Sequence, residues 1–490
     1  MSYDPALPSE EDTNSIRAPE NQLMDALSDE TSLGHMLKLA GPMVVVHISF
    51  TIMQFVDMRM VAALGTNELA AILPAGLLSF IPGSFGLGVI RIVNTFVSQS
   101  LGRADKPACS NYCWQVIFMG FVYSVVCLGI LWPTAPWIFR VIGQPVEIIG
   151  LEITYLRIML YTQFLLVLSW SSSQFFMGIQ RPIISMYAMV TGQVVNVAAN
   201  YVLIFGRLGF PAMGIAGAGW GTFMGVGVSV LISMFMFLTG DINRTFKSRR
   251  SLRIDLRKMI DIVRVGFPAG FGLMINISFW SLILFGLVGR FGKESLAATG
   301  AVWSCIRVSF MPIIGIGTAL TAVVGKSIGR DRKEAAIKQT ALCLKVALVY
   351  MGFIGLCCFV FRRPIMRFWA PYDEEVVRIG MGLLMCGAVF QIFDAVLIIY
   401  GDALRGAGDT VWIALVEMVG ASLFLGVGGY LMVKLFPELG AMGPWMAGTA
   451  KIAFGAAANR WRFRSRRWMR IDLFERRAET VPVEVAAPVE

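Results

Sequence analysis

Asp57 is the first residue in this chain that calls for a chemical explanation. It sits in "SFTIMQFVDMRMVAALG", residues 49–65, an apolar run interrupted by Asp57 and Arg59. A charge at the centre of a bilayer-spanning helix costs at least about 2.5–3.5 kcal/mol, so a carboxylate placed there needs a compensating use. A proton or metal cation arriving at the carboxylate removes that cost, and the chemistry available is cation uptake and release. Arg59 does not simply neutralise it, because side chains two apart on a helix do not face each other. Arg59 is expected to snorkel toward the membrane surface.

Other deep polar residues have two readings each. Arg91, Arg307 and Glu417 either pair within helix bundles or, for the two arginines, face a cavity that admits anionic or zwitterionic substrates. His47 reads as a packed neutral side chain, with a proton relay as the alternative. Enzyme chemistry finds no support. "GKS" at 325–327 imitates a phosphate-binding loop, but GxxxxGK[ST] needs glycine at 320 and the chain has Leu320. There are two histidines in the chain and no HExxH, and the one GxSxG, "GKSIG" at 325–329, ends a membrane helix instead of following a strand. The eight cysteines lack zinc-finger spacing and read as small buried hydrophobes.

The elements that must position these residues are membrane helices. The chain of 490 residues is 56% hydrophobic and 15% charged, against about 25% charged in soluble domains. Apolar runs long enough to cross about 30 Å of hydrocarbon recur throughout. They predict twelve spans, near 37–64, 68–99, 109–133, 153–178, 183–206, 211–239, 262–289, 295–327, 338–361, 377–404, 411–434 and 441–459, the last of them short. Residues 1–34 are acidic, with one arginine, and read as a disordered or interfacial tail rather than a signal peptide. Lys and Arg gather in alternate loops, in 241–261 and in the tail 461–490, which turns acidic at its end. That bias predicts both termini in the cytoplasm of an inner-membrane protein, its basic face against anionic lipid, with no nucleic-acid partner.

The chain also repeats itself. Pro42 pairs with Pro268, "LAA" at 69–71 with 296–298, "VSQSLGRADK" at 97–106 with "VGKSIGRDRK" at 324–333, and "AMG" at 212–214 with 441–443. The offset drifts from 226 to 229, as a duplicated six-helix unit with small loop insertions would leave it. Six is even, so the halves, 35–240 and 262–460, enter the membrane the same way round as parallel repeats. Asp57 and Asp394 are not repeat mates, since position 284 is leucine.

"GP" in the first helix, "VSQSLGRAD", "NVAANYVLIFGRLGFPAMGIAGAGWGT" at 196–222, "GFP" opening the seventh helix and "FQIFDAVLIIYGDALRGAGDT" at 390–410 resemble the multidrug and toxic compound extrusion (MATE) family. The resemblance runs from about residue 35 to 460. It implies an all-α membrane protein of twelve helices in two six-helix bundles around a V-shaped cavity. It implies a secondary exporter of small organic molecules by proton or sodium antiport, without a cofactor and acting as a monomer. A flippase for lipid-linked saccharides, from the same wider superfamily, is the alternative.

Residue by residue, the resemblance places Asp57 with Asn196, Asn200 and Thr222 in a cation-coupling site, a candidate for Na⁺. Asn196 and Asn200, four apart, share a helix face; helix–helix glue is their plainer reading. It places Asp394 in the cavity of the second bundle, with Asn276 and Phe390 at the family's neighbouring positions; Arg91 and Arg307 join the candidate substrate cavity on their cavity-facing reading. The family's pattern is incomplete there. Asn276 stands where one branch has a glutamate and Phe390 where a tyrosine is expected, so a second cation site is not expected.

Overall fold

A computed structural model of the chain describes residues 32–474. The acidic segment before residue 32 and residues 475–490 lie outside the described part. Among the described residues there is no β-strand, and twelve long helices form the body. The first six are α1 (Leu33–Ala62), α2 (Thr66–Gly102), α3 (Lys106–Val141), α4 (Val146–Gly178), α5 (Pro182–Phe205) and α6 (Ile215–Leu238). The second six are α7 (Leu256–Ser281), α8 (Lys293–Gly329), α9 (Lys333–Val360), α10 (Glu374–Gly406), α11 (Thr410–Leu435) and α12 (Met442–Arg464).

Eleven of these are long and apolar enough to cross a membrane. The twelfth, α12, carries Lys451, Arg460, Arg462 and Arg464, which lower its apolar character and shorten the span the sequence reads there. At 1.5 Å per residue it is about 35 Å long. It therefore continues past 459, where the sequence suggested a short helix; α3 likewise begins before 109 and ends beyond 133. Helix ends that leave hydrocarbon keep their backbone hydrogen bonds while their side chains become polar, so hydropathy loses them first.

The helices are apolar on most sides, as bilayer-embedded helices must be, and their ends are set by local chemistry. Ser32 accepts a hydrogen bond from the His35 amide at 3.1 Å, capping α1, and Asp105 caps α3 through the Ala108 amide at 3.1 Å. Pro42, Pro82, Pro268 and Pro312 all fall inside helices.

The duplication shows in the backbone itself. Left-handed or otherwise positive φ occurs at matched positions, Ala104 and Asp331, Gln180 and Gly408, Gly65 and Gly292; Gly214 matches Gly440, not the Gly443 that the "AMG" pairing suggested. Packing is matched too. Within the first lobe α1 packs on α5, α2 on α4, α3 on α4, α4 on α6 and α5 on α6. The second lobe repeats every pair six helices later. Between lobes, α1 packs on α8 and its mate α7 packs on α2, while α2 and α8 meet at the axis. A pseudo-two-fold interface brings repeat mates together there, each meeting the other in the same way. A Cβ on Gly102 would lie 2.8 Å from the Gly329 Cα, and one on Gly329 would lie 3.0 Å from the Gly102 Cα. Glycine at both positions lets the helices touch backbone to backbone.

The lobes are tied together toward the face that collects the basic loops. Asn94 donates to the Thr318 carbonyl at 3.0 Å, Thr95 to Arg405 at 2.9 Å and Gln99 to Gly406 at 2.9 Å. The segment between the lobes folds onto α3: Trp114 and Gln115 donate to the carbonyls of Ser248 at 2.9 Å and Arg253 at 2.7 Å. Arg181, 2.6 Å from Asp241 on this segment, holds that exposed carboxyl below its usual range. Beyond α12 the chain turns back across the interface. Asp472 pairs with Arg103 at 2.7 Å, and Phe474 lies against Phe96 and Tyr112 of the first lobe.

Candidate functional site

The tightest approach in the first lobe builds the site. Along α6, Gly217, Gly221 and Gly225 recur every fourth residue and face α5. A Cβ at Gly217 would lie 2.7 Å from the Ile204 amide nitrogen, and one at Gly225 would lie 2.6 Å from the Asn196 Cβ. At Gly221 it would overlap the Asn200 side-chain oxygen. Small residues at this spacing let membrane helices approach closely. Here they seat Asn196 and Asn200, 2% and 0% exposed, in the α5–α6 seam.

The asparagines then reach α1 and α6. Asn200 Nδ2 donates to Asp57 Oδ1 at 2.7 Å and lies 3.4 Å from Asn196 Oδ1. Asn196 Nδ2 donates to Thr222 Oγ1 at 3.3 Å, and that hydroxyl donates to the Ala218 carbonyl at 3.0 Å. One connected chain of polar atoms, Asp57–Asn200–Asn196–Thr222, therefore joins α1, α5 and α6. Asp57 is half-buried and Arg59 is exposed, pointing elsewhere. Asn200 Oδ1 is buried and accepts no hydrogen bond from the described residues. Tyr155 of α4, absent from the sequence reading, lies within electrostatic reach of Asp57. The donor set is one carboxylate and neutral oxygens, one of them orphaned, which suits a proton or a single monovalent cation. All four residues sit within about two and a half turns of the helix ends opposite the basic face.

The second-lobe residues do not form one cluster. Phe390 is 3% exposed and stacked on Trp445 at 6.3 Å, so the expectation that it lines the cavity is corrected: it is core. An aromatic ring with no polar atom loses nothing by burial, whereas the tyrosine expected there would need a partner. Asn276 donates to Glu417 Oε2, and Lys451 Nζ approaches the same oxygen at 2.6 Å. Asp394 is half-buried, within electrostatic reach of Glu417 and Lys451. Arg91 is paired, and across the lobes: its guanidinium is 3.4 Å from Asp402, which also accepts from Arg405. Arg307 is half-buried and makes no ion pair with a described residue. The sequence reading passed over Lys451 and Asp402. A lone lysine inside a span and an acid three residues before Arg405 were the available signals.

The sequence pattern of the MatE family matches residues 42–202 and again residues 268–431. The chain belongs to the MatE family. Its members are transporters and not enzymes, and the two matches start 226 residues apart, at the two repeat prolines. Among curated relatives, a protein named probable multidrug resistance protein NorM, of Rhizobium meliloti (strain 1021), is 26% identical over 87% of this chain and 92% of its own length. The multidrug resistance protein PmpM of Pseudomonas aeruginosa is 26% identical over 81% of this chain and 83% of its own. The crystal structure of the eukaryotic MATE transporter AtDTX14 superposes with a TM-score of 0.81 at 19% identity, over 92% of this chain and 99% of that one. A multidrug resistance MATE family transporter, solved in an outward-facing conformation, gives 0.79 at 20% identity, over 91% and 99%. These likenesses establish the MatE fold of two repeated lobes. The relatives' names speak of multidrug resistance, which does not favour a saccharide-lipid flippase.

Proposed function

We propose that this chain is a secondary active exporter of small organic molecules, driven by proton or sodium antiport at the Asp57 site. The observation that carries the reading is the connected Asp57–Asn200–Asn196–Thr222 chain in the interior of the first lobe. The names of the multidrug resistance relatives support the substrate class. Lys and Arg bias supports an inner membrane with the basic face and both termini in the cytoplasm. On this reading the face where the lobes are tied is the closed, cytoplasmic one, and transport alternates an outward-open with an inward-open arrangement. No cofactor and no second protein chain is required.

Cation arrival at Asp57 removes the cost of a buried charge and biases the first lobe toward a different helix arrangement. A cation moving down about 100 mV supplies about 2.3 kcal/mol, and about 1.4 kcal/mol corresponds to a tenfold ratio, so one charge supports a substrate gradient of roughly fortyfold. The test is purified protein in liposomes, with flux of a fluorescent organic cation followed under an imposed pH or Na⁺ gradient. Gradient-driven flux that collapses in Asp57→Asn supports the reading; flux indifferent to both gradients refutes it.

A further inference from the structure

Each lobe holds buried carboxylate chemistry, but the two centres differ in what balances the charge. In the first lobe Asp57 meets amides and a hydroxyl. In the second, Glu417 of α11 and Asp394 of α10 stand beside an ammonium that the chain carries with it. Lys451 Nζ lies 2.6 Å from Glu417 Oε2, with side-chain exposures of 3% and 18%. Asn276 of α7 donates to the same oxygen, so three helices converge on it. The methylene stem of Lys451 lies along Gly420, where a Cβ would meet its Cγ at 3.5 Å and its Cε at 3.6 Å. Gly420 opens directly into a π-helical stretch of α11, Ala421–Gly428, a distortion common at functional sites.

We infer that Lys451 is a tethered cation that fills the carboxylate site of the second lobe, so that a soluble cation is taken up by the first lobe alone. The ammonium sits on a helix and is oriented by packing. It therefore holds the site without the loss of translational freedom that a soluble ion suffers on binding. A buried lysine–glutamate pair is also hard to open, because removing one partner strands the other's charge. The asymmetry gives the duplicated scaffold one lobe whose carboxylate meets only neutral groups and one in which a tethered ammonium balances Glu417. The inference rests on the antiport reading only for its transport arm.

Two measurements test it. In detergent, ²²Na⁺ binding to the native chain should saturate at no more than one ion per chain, and Asp57→Asn should bind none. Adding Lys451→Ala to Asp57→Asn should create a new saturable site for ²²Na⁺ or ¹⁴C-methylammonium, at least tenfold above the parent, and a further Glu417→Gln should remove it. In liposomes, Lys451→Ala alone should lose at least tenfold in efflux and regain severalfold with millimolar methylammonium, but not with neutral acetamide. Two ions bound per native chain, one of them lost in Asp394→Asn, would overturn the inference even where Lys451→Ala does not fold. So would a folded Lys451→Ala that gains no cation site. If Asp57→Asn keeps gradient-driven efflux, the antiport reading fails while the second-lobe binding result stands.

Discussion

At the residue scale, Asp57 and Phe390 show how two residues singled out by type end in different roles. Asp57 accepts one hydrogen bond at 2.7 Å from a side chain that is itself fully buried. Asp57→Asn keeps the shape and removes the titratable charge. It should fold and bind substrate as before but lose at least tenfold in gradient-driven efflux, read in liposomes against equilibrium substrate binding. Asn200→Ala removes a buried neutral oxygen that a bound Na⁺ would use, so Na⁺ affinity measured by titration should fall severalfold with partial efflux retained. Phe390 tests the opposite expectation. It packs on Trp445 inside the second lobe, so Phe390→Ala should lower stability by about 3–5 kcal/mol, seen as a fall in melting temperature in detergent. The order in which different substrates are transported should not change.

At the element scale, the α5–α6 pair is the part that makes the site possible. The α6 glycines leave no room for a methyl group where α5 carries its two asparagines. Gly221→Ala would drive a Cβ into the Asn200 amide, and overpacking of this kind costs about 1–3 kcal/mol. The expected outcome is a protein that still folds, with a lower melting temperature and a weakened dependence of transport on the imposed cation gradient. Gly227→Ala is the control, because the nearest atom to a Cβ there is Leu165 Cδ1 at 3.7 Å. It should leave both readouts unchanged. If Gly221→Ala keeps wild-type ion dependence, the seam does not set the geometry of Asp57 through Asn200.

At the scale of the whole molecule, two lobes meet along a pseudo-two-fold axis and are fastened on the basic face. Gly102 and Gly329 are repeat mates that touch across that axis, and the interlobe hydrogen bonds cluster nearby. On the proposed alternating-access cycle, an inward-open state would have to separate these contacts. Cysteines at Asn94 and Thr318, adjacent across this interface, should therefore cross-link under mild oxidant, stop efflux and release it again with reductant. The eight native cysteines are free, so the experiment uses a background in which they are replaced. Cross-linking that leaves efflux intact would mean that the lobes do not part here. Arg91, Asp402 and Arg405 lie in the same interface. Breaking one partner of this buried cluster should disturb the balance between the two open states more than it disturbs substrate affinity.

Much of this was legible in the sequence for a physical reason: hydrocarbon leaves few choices. A backbone that must satisfy its own hydrogen bonds in lipid becomes helical, so the number of spans followed from apolar length, and the parallel repeat from an even count and a near-constant offset. Asp57 stood out because a charge in such a segment is costly wherever it occurs, and Asn196, Asn200 and Thr222 through the resemblance to the MATE family. The pairing of the remaining polar residues was not legible. Whether Asp402 meets Arg91, or Glu417 meets Lys451, depends on how helices from different parts of the chain rotate against each other. No local pattern encodes that rotation. Phe390 was placed in the cavity because a motif position carries no direction, and only the packing of α10 on α12 turned its ring into the core. The far ends of the helices escaped for the converse reason: once a helix leaves the hydrocarbon its composition no longer differs from a loop, and packing within its own lobe, as of Ala135 and Phe139 on Leu156 and Leu160 or of Arg462 on Asp409, helps to hold it in shape.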